Sequence, residues 1–491
     1  MSRHPLEPLT AQEVETAVSL IKALPDFDGS TRIISVMLKE PSKEHVHTWP
    51  SVSIADRQAK VVLLDNTRNE TSVVDLDLIG KRVVEKLAAP GGVQPTLSID
   101  EQIECEQAVL RSPEFRAALE RQYGISDTSL VMVDIWSAGY YGQEEERTRR
   151  LTRPLCFLRS DATDNGYARP IEGIRPVVDL NRMRVIRVEE YGCWPLPPTS
   201  GNYAASRVDT FRSGIRPLTI VQPEGPSFSL EGNSLSWQNW KFVIGFNARE
   251  GLTLHHVRYH DRDRDRSILY RASLTEMVVP YGDPNPTQAR KNAFDVGEYG
   301  MGMCANSLRL GCDCLGHIVY LDAHLCDSRG RAFTVENAIC IHEEDYGILW
   351  KHTDRRLADA PEVRRSRRLV VSAISTVENY EYGFFWYFYQ DGNIQFEIKL
   401  TGILSLGTLH EGEKPKYGSL VAPLLYAPNH QHFFNVRLDF DIDGVENTVQ
   451  QIDVVSDPIG DSNPFQNAFQ VKATTLETEQ QALANLNVET A

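Results

Sequence analysis

The sequence predicts an α+β protein in which two small α+β domains in tandem precede a large antiparallel β-sandwich. Three observations carry that expectation. A helical signal followed by strand-like runs occurs twice before residue 200. From about residue 228, helical periodicity gives way to β-rich runs punctuated by turn signals. A stretch dense in proline and glycine separates the two regimes. The boundaries read from these changes are 1–92, 93–200, a connection over 201–227, and 228–491.

The elements follow in order. Residues 10–24, "TAQEVETAVSLIKAL", put Val14, Val18, Ile21 and Leu24 on one helical face, and Thr10 with Glu13 forms a capping box. Strand-like runs "RIISVML", "KVVLLD" and "SVVDLDL" come next, and "AAPGGVQPTL" reads as a linker. The second domain begins with "DEQIECEQAVLRSPEFRAALERQYG", read as helical, before the strands "SLVMVDIW", "RPLCFLRS" and "RMRVIRVEEY". Beyond residue 228, "WKFVIGFNAREGLTLHHVRYHD", "RSILYRASLTEMVVPY", "GHIVYLDAHL", "AICIHEED" and "RRLVVSAIST" have the strand and turn rhythm of a sandwich. The aromatic run from Tyr380 with its Asp391-Gly392 turn reads as a hairpin, whereas the last thirty or so residues turn polar and helix-prone.

Composition narrows the function classes. A formal net charge of −16 argues against a nucleic-acid binder. No stretch reaches the ~18 apolar residues of a membrane span, and the first residues lack the apolar core of a signal peptide. Eight cysteines in 491 residues do not build a disulfide scaffold. The expected setting is intracellular.

Several constellations could carry chemistry. His430 and His432, in "NHQHFF", point to one face of an extended strand and can reach one metal ion, and imidazole suits copper, zinc, iron and nickel. "LDFDIDG" offers the alternating oxygens of Asp439, Asp441 and Asp443, suited to calcium or to a solvated strand edge. Asp295 stands between Phe294 and Val296, where desolvation would raise its pKa towards that of a general base. Tyr281 ends a strand before a proline turn. Cys312, Cys314 and His317 admit zinc but lack a second close pair, leaving a disulfide to Cys340 that closes a loop of 26 residues, or buried thiols.

Taken jointly, "FDVGEYGMG", "NSLRLGCDCLGHIVYLDAHL", "NAICIHEEDYGILWKHTD", "NYEYGFFWYFYQDGNIQFEIKLTGIL" and "NHQHFF" resemble the copper-containing primary amine oxidases, particularly the shorter microbial and fungal forms. The resemblance spans most of residues 228–440 and continues more loosely upstream, through two small domains that it implies are cystatin-like. It implies that Tyr380 is oxidised by its own protein, with copper and O₂, to topaquinone, the carbonyl on which a small primary amine condenses as a Schiff base. Asp295 then matches the proton acceptor, Tyr281 the tyrosine that holds the quinone, and Asn379 the neighbour that orients it. Phe294, Trp136, Tyr299 and Tyr382 match substrate-side aromatics. His430 and His432 match copper ligands. Asp439, the Phe440 carbonyl and Asp441 match part of a calcium site. Cys314 and Cys340 match a disulfide. The family also implies a homodimer and, for some members, a peroxisomal location; no nucleic acid and no membrane enter.

One feature departs from the family pattern. A third copper-binding histidine is expected far beyond the His-x-His, in a Gly-x-x-His-x-Pro context, and no histidine follows His432. His342 and His352 lie in the same domain, but their spacing recommends neither. The expectation is therefore an incomplete sandwich lacking the third ligand, the remaining calcium ligands and a dimer-embracing arm. Its alternative to an amine oxidase is a catalytically incompetent fragment of one.

Overall fold

The computed structural model describes residues 3–51, 56–356 and 361–483. Near the N-terminus, the helix Ala11–Lys22 starts at the expected capping box, with Glu13 N donating to Thr10 Oγ1 and Thr10 N donating to Glu13. Its buried face, Val14, Ala17, Val18 and Ile21, packs on a four-stranded antiparallel meander of Thr31–Lys39, Gln58–Asp65, Glu70–Asp77 and Arg82–Ala88. A short helix, Lys43–Thr48, follows the first of these strands.

The second module differs from expectation in its helix. The single helical run is two helices, Ile99–Arg111 and Pro113–Tyr123. The break falls where Pro113 cannot continue a helix but fits the first turn of a new one, and Ser112 caps that turn through Phe115 N. These helices cover two small antiparallel sheets, Val131–Asp134 with Leu155–Leu158, and Leu151–Thr152, Ile174–Asp179 and Arg184–Glu190.

Two large antiparallel sheets form the rest of the core. One runs from Phe228–Glu231 through Ser234–Trp237, Trp240–Asn247, Gly251–Asp261 and Arg264–Pro280 to Asn292–Phe294, with Phe433–Phe440 also paired to Arg264–Pro280. The other orders Val319–Cys326, Ala332–Thr353, Pro361–Val377, Tyr380–Tyr389 and Ile394–Gly402 as a meander. Phe242, Ile244, Leu254 and Leu269 of the first face Ile339, Val371, Trp386 and Phe388 of the second across one buried layer, the arrangement of a sandwich. Phe242 and Phe388 stack at 4.3 Å.

The chain's last segment also departs from expectation. Instead of a helix, Phe469–Leu476 is a strand paired with Val449–Ser456. Its valine, threonines and phenylalanine favour an extended backbone more than the polar average of the segment suggested. Residues 484–491, the remainder of the helix-prone tail, lie outside the described residues.

Candidate active site

The tight turn before Tyr380 aims its ring. Val377 and Tyr380 pair across a hairpin, so only Glu378 and Asn379 connect the strands. Glu378 takes a left-handed φ of 51°, which glutamate adopts reluctantly. Side chains brace the turn: Thr376 Oγ1 donates to Glu381 Oε1 at 2.9 Å, and Asn306 Nδ2 donates to Glu381 Oε2 at 3.2 Å. Asn379 Nδ2 donates to the Ile403 carbonyl at 2.6 Å, and Ile403 N returns a bond to the Asn379 carbonyl at 2.7 Å. Opposite Tyr380 is Gly402, with φ 96°; a Cβ there would come within 2.7 Å of Asn379 O and Glu381 N.

The two histidines converge on that ring. His430 bridges to Tyr281 in extended backbone, and His432 immediately precedes the strand Phe433–Phe440. Their imidazoles lie 5.7 and 5.2 Å from the Tyr380 ring and 5.1 Å from each other, centroid to centroid. His430 Nδ1 is 2.9 Å from the Pro428 carbonyl, which fixes the proton there; Nε2 is left to accept from the Tyr380 hydroxyl at 2.8 Å. Ser405 N also donates to that hydroxyl, at 3.3 Å. Burial lowers the pKa of both imidazoles, that of His432 to about 4, and so favours their neutral, ligating form. Burial raises the Tyr380 pKa.

Asp295 enters the same cluster through Tyr382, whose hydroxyl donates to Asp295 Oδ2 at 3.0 Å and lies 3.3 Å from His432 Nδ1. The carboxyl is 4 % exposed at the start of the short helix Asp295–Glu298. Burial pushes its pKa up to about 7; the Tyr382 hydrogen bond opposes the rise and Glu276 adds to it. Glu276 had no sequence signal, yet its Oε1 accepts from Val296 N and Gly297 N and fixes the start of that helix.

Tyr281 stacks on His430 with centroids 4.6 Å apart and planes at 15°. Its hydroxyl is buried with no hydrogen-bond partner among the described residues. Trp136 reaches in from the second module, edge-on to Tyr281 at 6.1 Å, with Nε1 donating to the Asn292 carbonyl at 2.9 Å. Phe294 is exposed beside Asp295. Tyr299, expected at the substrate, is instead packed in the core, its hydroxyl donating to the Ile135 carbonyl at 3.0 Å. The chain thus gathers Tyr380, Tyr382, Tyr281, Asn379, Asp295, His430, His432 and Trp136, and not Tyr299.

Elsewhere, Cys314 and Cys340 are buried thiols with sulfurs 2.7 Å apart. Cys312 is exposed, apart from that buried pair, and no three His, Cys, Asp or Glu side chains gather as metal ligands among the described residues. Asp439, Phe440 and Asp441 face cations and hydrogen-bond donors of the chain itself, which does not fit the calcium expectation.

Three family models match the chain: the copper amine oxidase enzyme domain over residues 229–491, the N3 domain over 100–205 and the N2 domain over 4–85. The chain belongs to the copper amine oxidase family. Among relatives of this copper amine oxidase, the primary amine oxidase of Arthrobacter sp. (strain P1) is 48% identical over 487 residues, covering 99% of this chain and 74% of the relative. The copper-containing diamine oxidase 1, peroxisomal, of Nicotiana tabacum is 44% identical over 527 residues, covering 98% of this chain and 67% of that protein. The crystal structure of a copper-containing benzylamine oxidase from Hansenula polymorpha superimposes with a TM-score of 0.88 at 30% identity, covering 96% of this chain and 76% of that one. This family of oxidoreductases oxidises amines with O₂, and the likeness extends over nearly the whole of this chain and about three quarters of the Arthrobacter relative, 74%. The family implies copper and topaquinone. Two imidazoles and a phenol oxygen are donors that copper accepts, so the residues present fit that metal in kind. The unpartnered Tyr281 hydroxyl fits a ring that gains an oxygen beside it. No helix among the described residues is long and apolar enough to cross a membrane.

Proposed function

We propose that this protein catalyses oxidative deamination of small primary amines, with His430 and His432 holding copper and Tyr380 as the precursor of topaquinone. In balance, amine, O₂ and water become aldehyde, ammonia and H₂O₂, and the two electrons leaving the amine carbon reduce the oxygen. The bound quinone supplies an electrophilic carbonyl and a two-electron sink. The residues of the chain supply the rest. His430 Nε2 accepts from the Tyr380 hydroxyl and keeps that ring beside the metal ligands. Asn379 locks the backbone turn that aims the ring, and Tyr281 offers a free hydroxyl to a ring oxygen. Asp295 accepts the proton from the amine carbon; a carboxyl of pKa about 7 in a dry pocket is basic enough at neutral pH and regains its acid form readily. Trp136 and Phe294 wall the approach.

The observation that carries this reading is the pairing within one hairpin end: the hydroxyl of residue 380 meets a histidine, and that of residue 382 meets the buried carboxyl. The test is to give the metal-free protein copper in air and follow residue 380 by phenylhydrazine reactivity and peptide mass. Conversion of Tyr380, abolished by Tyr380→Phe and by His430→Ala, is expected. An unmodified tyrosine after copper uptake would sink the reading.

The same reading extends to a Cys314–Cys340 disulfide, a homodimer and an intracellular setting. It is supported by the facing thiols and by relatives named peroxisomal, the Nicotiana tabacum enzyme and the primary amine oxidase of Pichia angusta. Non-reducing gels and sedimentation velocity of the whole protein test the first two.

A further inference from the structure

Calcium is held by about six to eight oxygen ligands whose negative charge faces the ion. At the Asp439–Asp441 corner, that negative charge already faces cations of the chain. Asp439 Oδ1 is 2.5 Å from Lys43 Nζ, and its Oδ2 accepts from Arg437 Nη2 at 3.1 Å, so both oxygens are taken. Asp441 Oδ2 accepts from Ser267 Oγ at 2.9 Å and lies 3.3 Å from His47 Nε2. The Phe440 carbonyl accepts from Asn447 Nδ2 at 3.3 Å. A divalent ion among these oxygens would have to displace an ammonium and a guanidinium and would be repelled by both.

Lys43 and His47 come from the short helix Lys43–Thr48 beside the first sheet, whereas Asp439 and Asp441 belong to the large sandwich. The contact between them is built as well as charged. Lys43 Nζ sits 4.9 Å over the Tyr270 ring, and Tyr270 closes a small buried cluster with Leu6 and Val46. One residue further on, Arg271 binds Glu40 at 3.0 Å and Glu250 at 2.5 Å, a second link between the same two regions. Asp441 is 1 % exposed, so its partners are fixed by packing as well as by charge.

We propose that this corner is not a calcium site in this protein but an interdomain latch, in which Lys43, His47 and Arg437 occupy the place of the ion and the first two join the N-terminal module to the sandwich.

The latch is tested on the whole protein in two ways. Calorimetric titration of the chelator-treated protein with millimolar calcium is expected to show no uptake at this corner. One calcium bound per chain and lost in Asp439→Asn would overturn the proposal. Thermal melting of Lys43→Met, Asp439→Asn and the double variant reads the coupling directly. Each single variant is expected to melt several degrees below the parent, and the double variant no lower than the worse single, because one contact is removed twice. Additive losses, or singles that melt with the parent, would refute the latch. If a single variant does not fold, Lys43→Arg, which keeps the charge, is expected to melt close to the parent; a loss as large as that expected for Lys43→Met would count against the ion pair.

Discussion

The Tyr382 hydroxyl donates to Asp295 Oδ2 at 3.0 Å, while Tyr380, two residues earlier on the same strand, turns its hydroxyl to His430. Residues i and i+2 share a face of a strand, so one backbone segment presents a phenol to the candidate metal ligands and another to the candidate base.

Tyr382→Phe removes the one hydrogen bond that opposes the upward shift of the Asp295 pKa. The carboxyl, now at about 7, is expected to titrate about one unit or more higher, the effect of losing a hydrogen bond to a charged group. The acid limb of the kcat/KM profile should move to higher pH by that amount; an unmoved limb would separate Asp295 from proton transfer.

Asp295→Asn should cost about 10²–10⁴-fold in kcat, the usual contribution of a positioned base. Its effect on stability has the opposite sign. The folded pKa of about 7 lies above the ordinary aspartate value of 3.8, so the native state binds the extra proton between those values and stability falls as pH rises through that window. Above about pH 7 the full burden of the buried charge is present, and the asparagine variant should be more stable there by roughly 1–3 kcal/mol, with no difference below about pH 4. Urea unfolding at both pH values checks this.

Tyr281→Phe deletes a buried hydroxyl that makes no well-formed hydrogen bond among the described residues. Stability should be unchanged or raised by up to about 1 kcal/mol, because no hydrogen bond is broken. If the hydroxyl holds an oxygen of the oxidised ring, kcat should nevertheless fall about tenfold or more. Thermal melting and steady-state kinetics on one preparation separate the two effects.

Glu378→Asn addresses the turn. Asparagine tolerates the left-handed region better than glutamate, and the substitution also removes a carboxyl whose pKa burial has pushed well above the ordinary range. A gain of about 1 kcal/mol is expected. A loss would mean that the Glu378 side chain makes a contact worth more than its strain.

Much of the architecture was legible because periodicity is local. The capping box at Thr10, the hairpin turn at Asp391-Gly392 and the period-two strands were all written in neighbouring residues. The Ser112-Pro113 break was equally local, but continuous apolar spacing on both sides concealed it. In the terminal strand Phe469–Leu476, average polarity masks the β-branched content, and pairing with Val449–Ser456 decides the conformation. In the site, Tyr380, Asp295 and the two histidines carried motif signals. Glu276, Ser405 and Lys43 did not, because their roles arise from chain segments that only folding brings together. Tyr299 shared a motif with Asp295, but the turn after the short helix sends its ring into the second module instead.

Gly402 has as its neighbour across the sheet the backbone of Tyr380 itself. Any side chain at that position would press on Asn379 O, Glu381 N and the Tyr380 Cα, the last at 3.0 Å, and so tilt the phenol before any chemistry begins. A saturation library at residue 402 should therefore yield soluble but inactive variants almost without exception, a silent control point that a survey of pocket-lining positions would pass over.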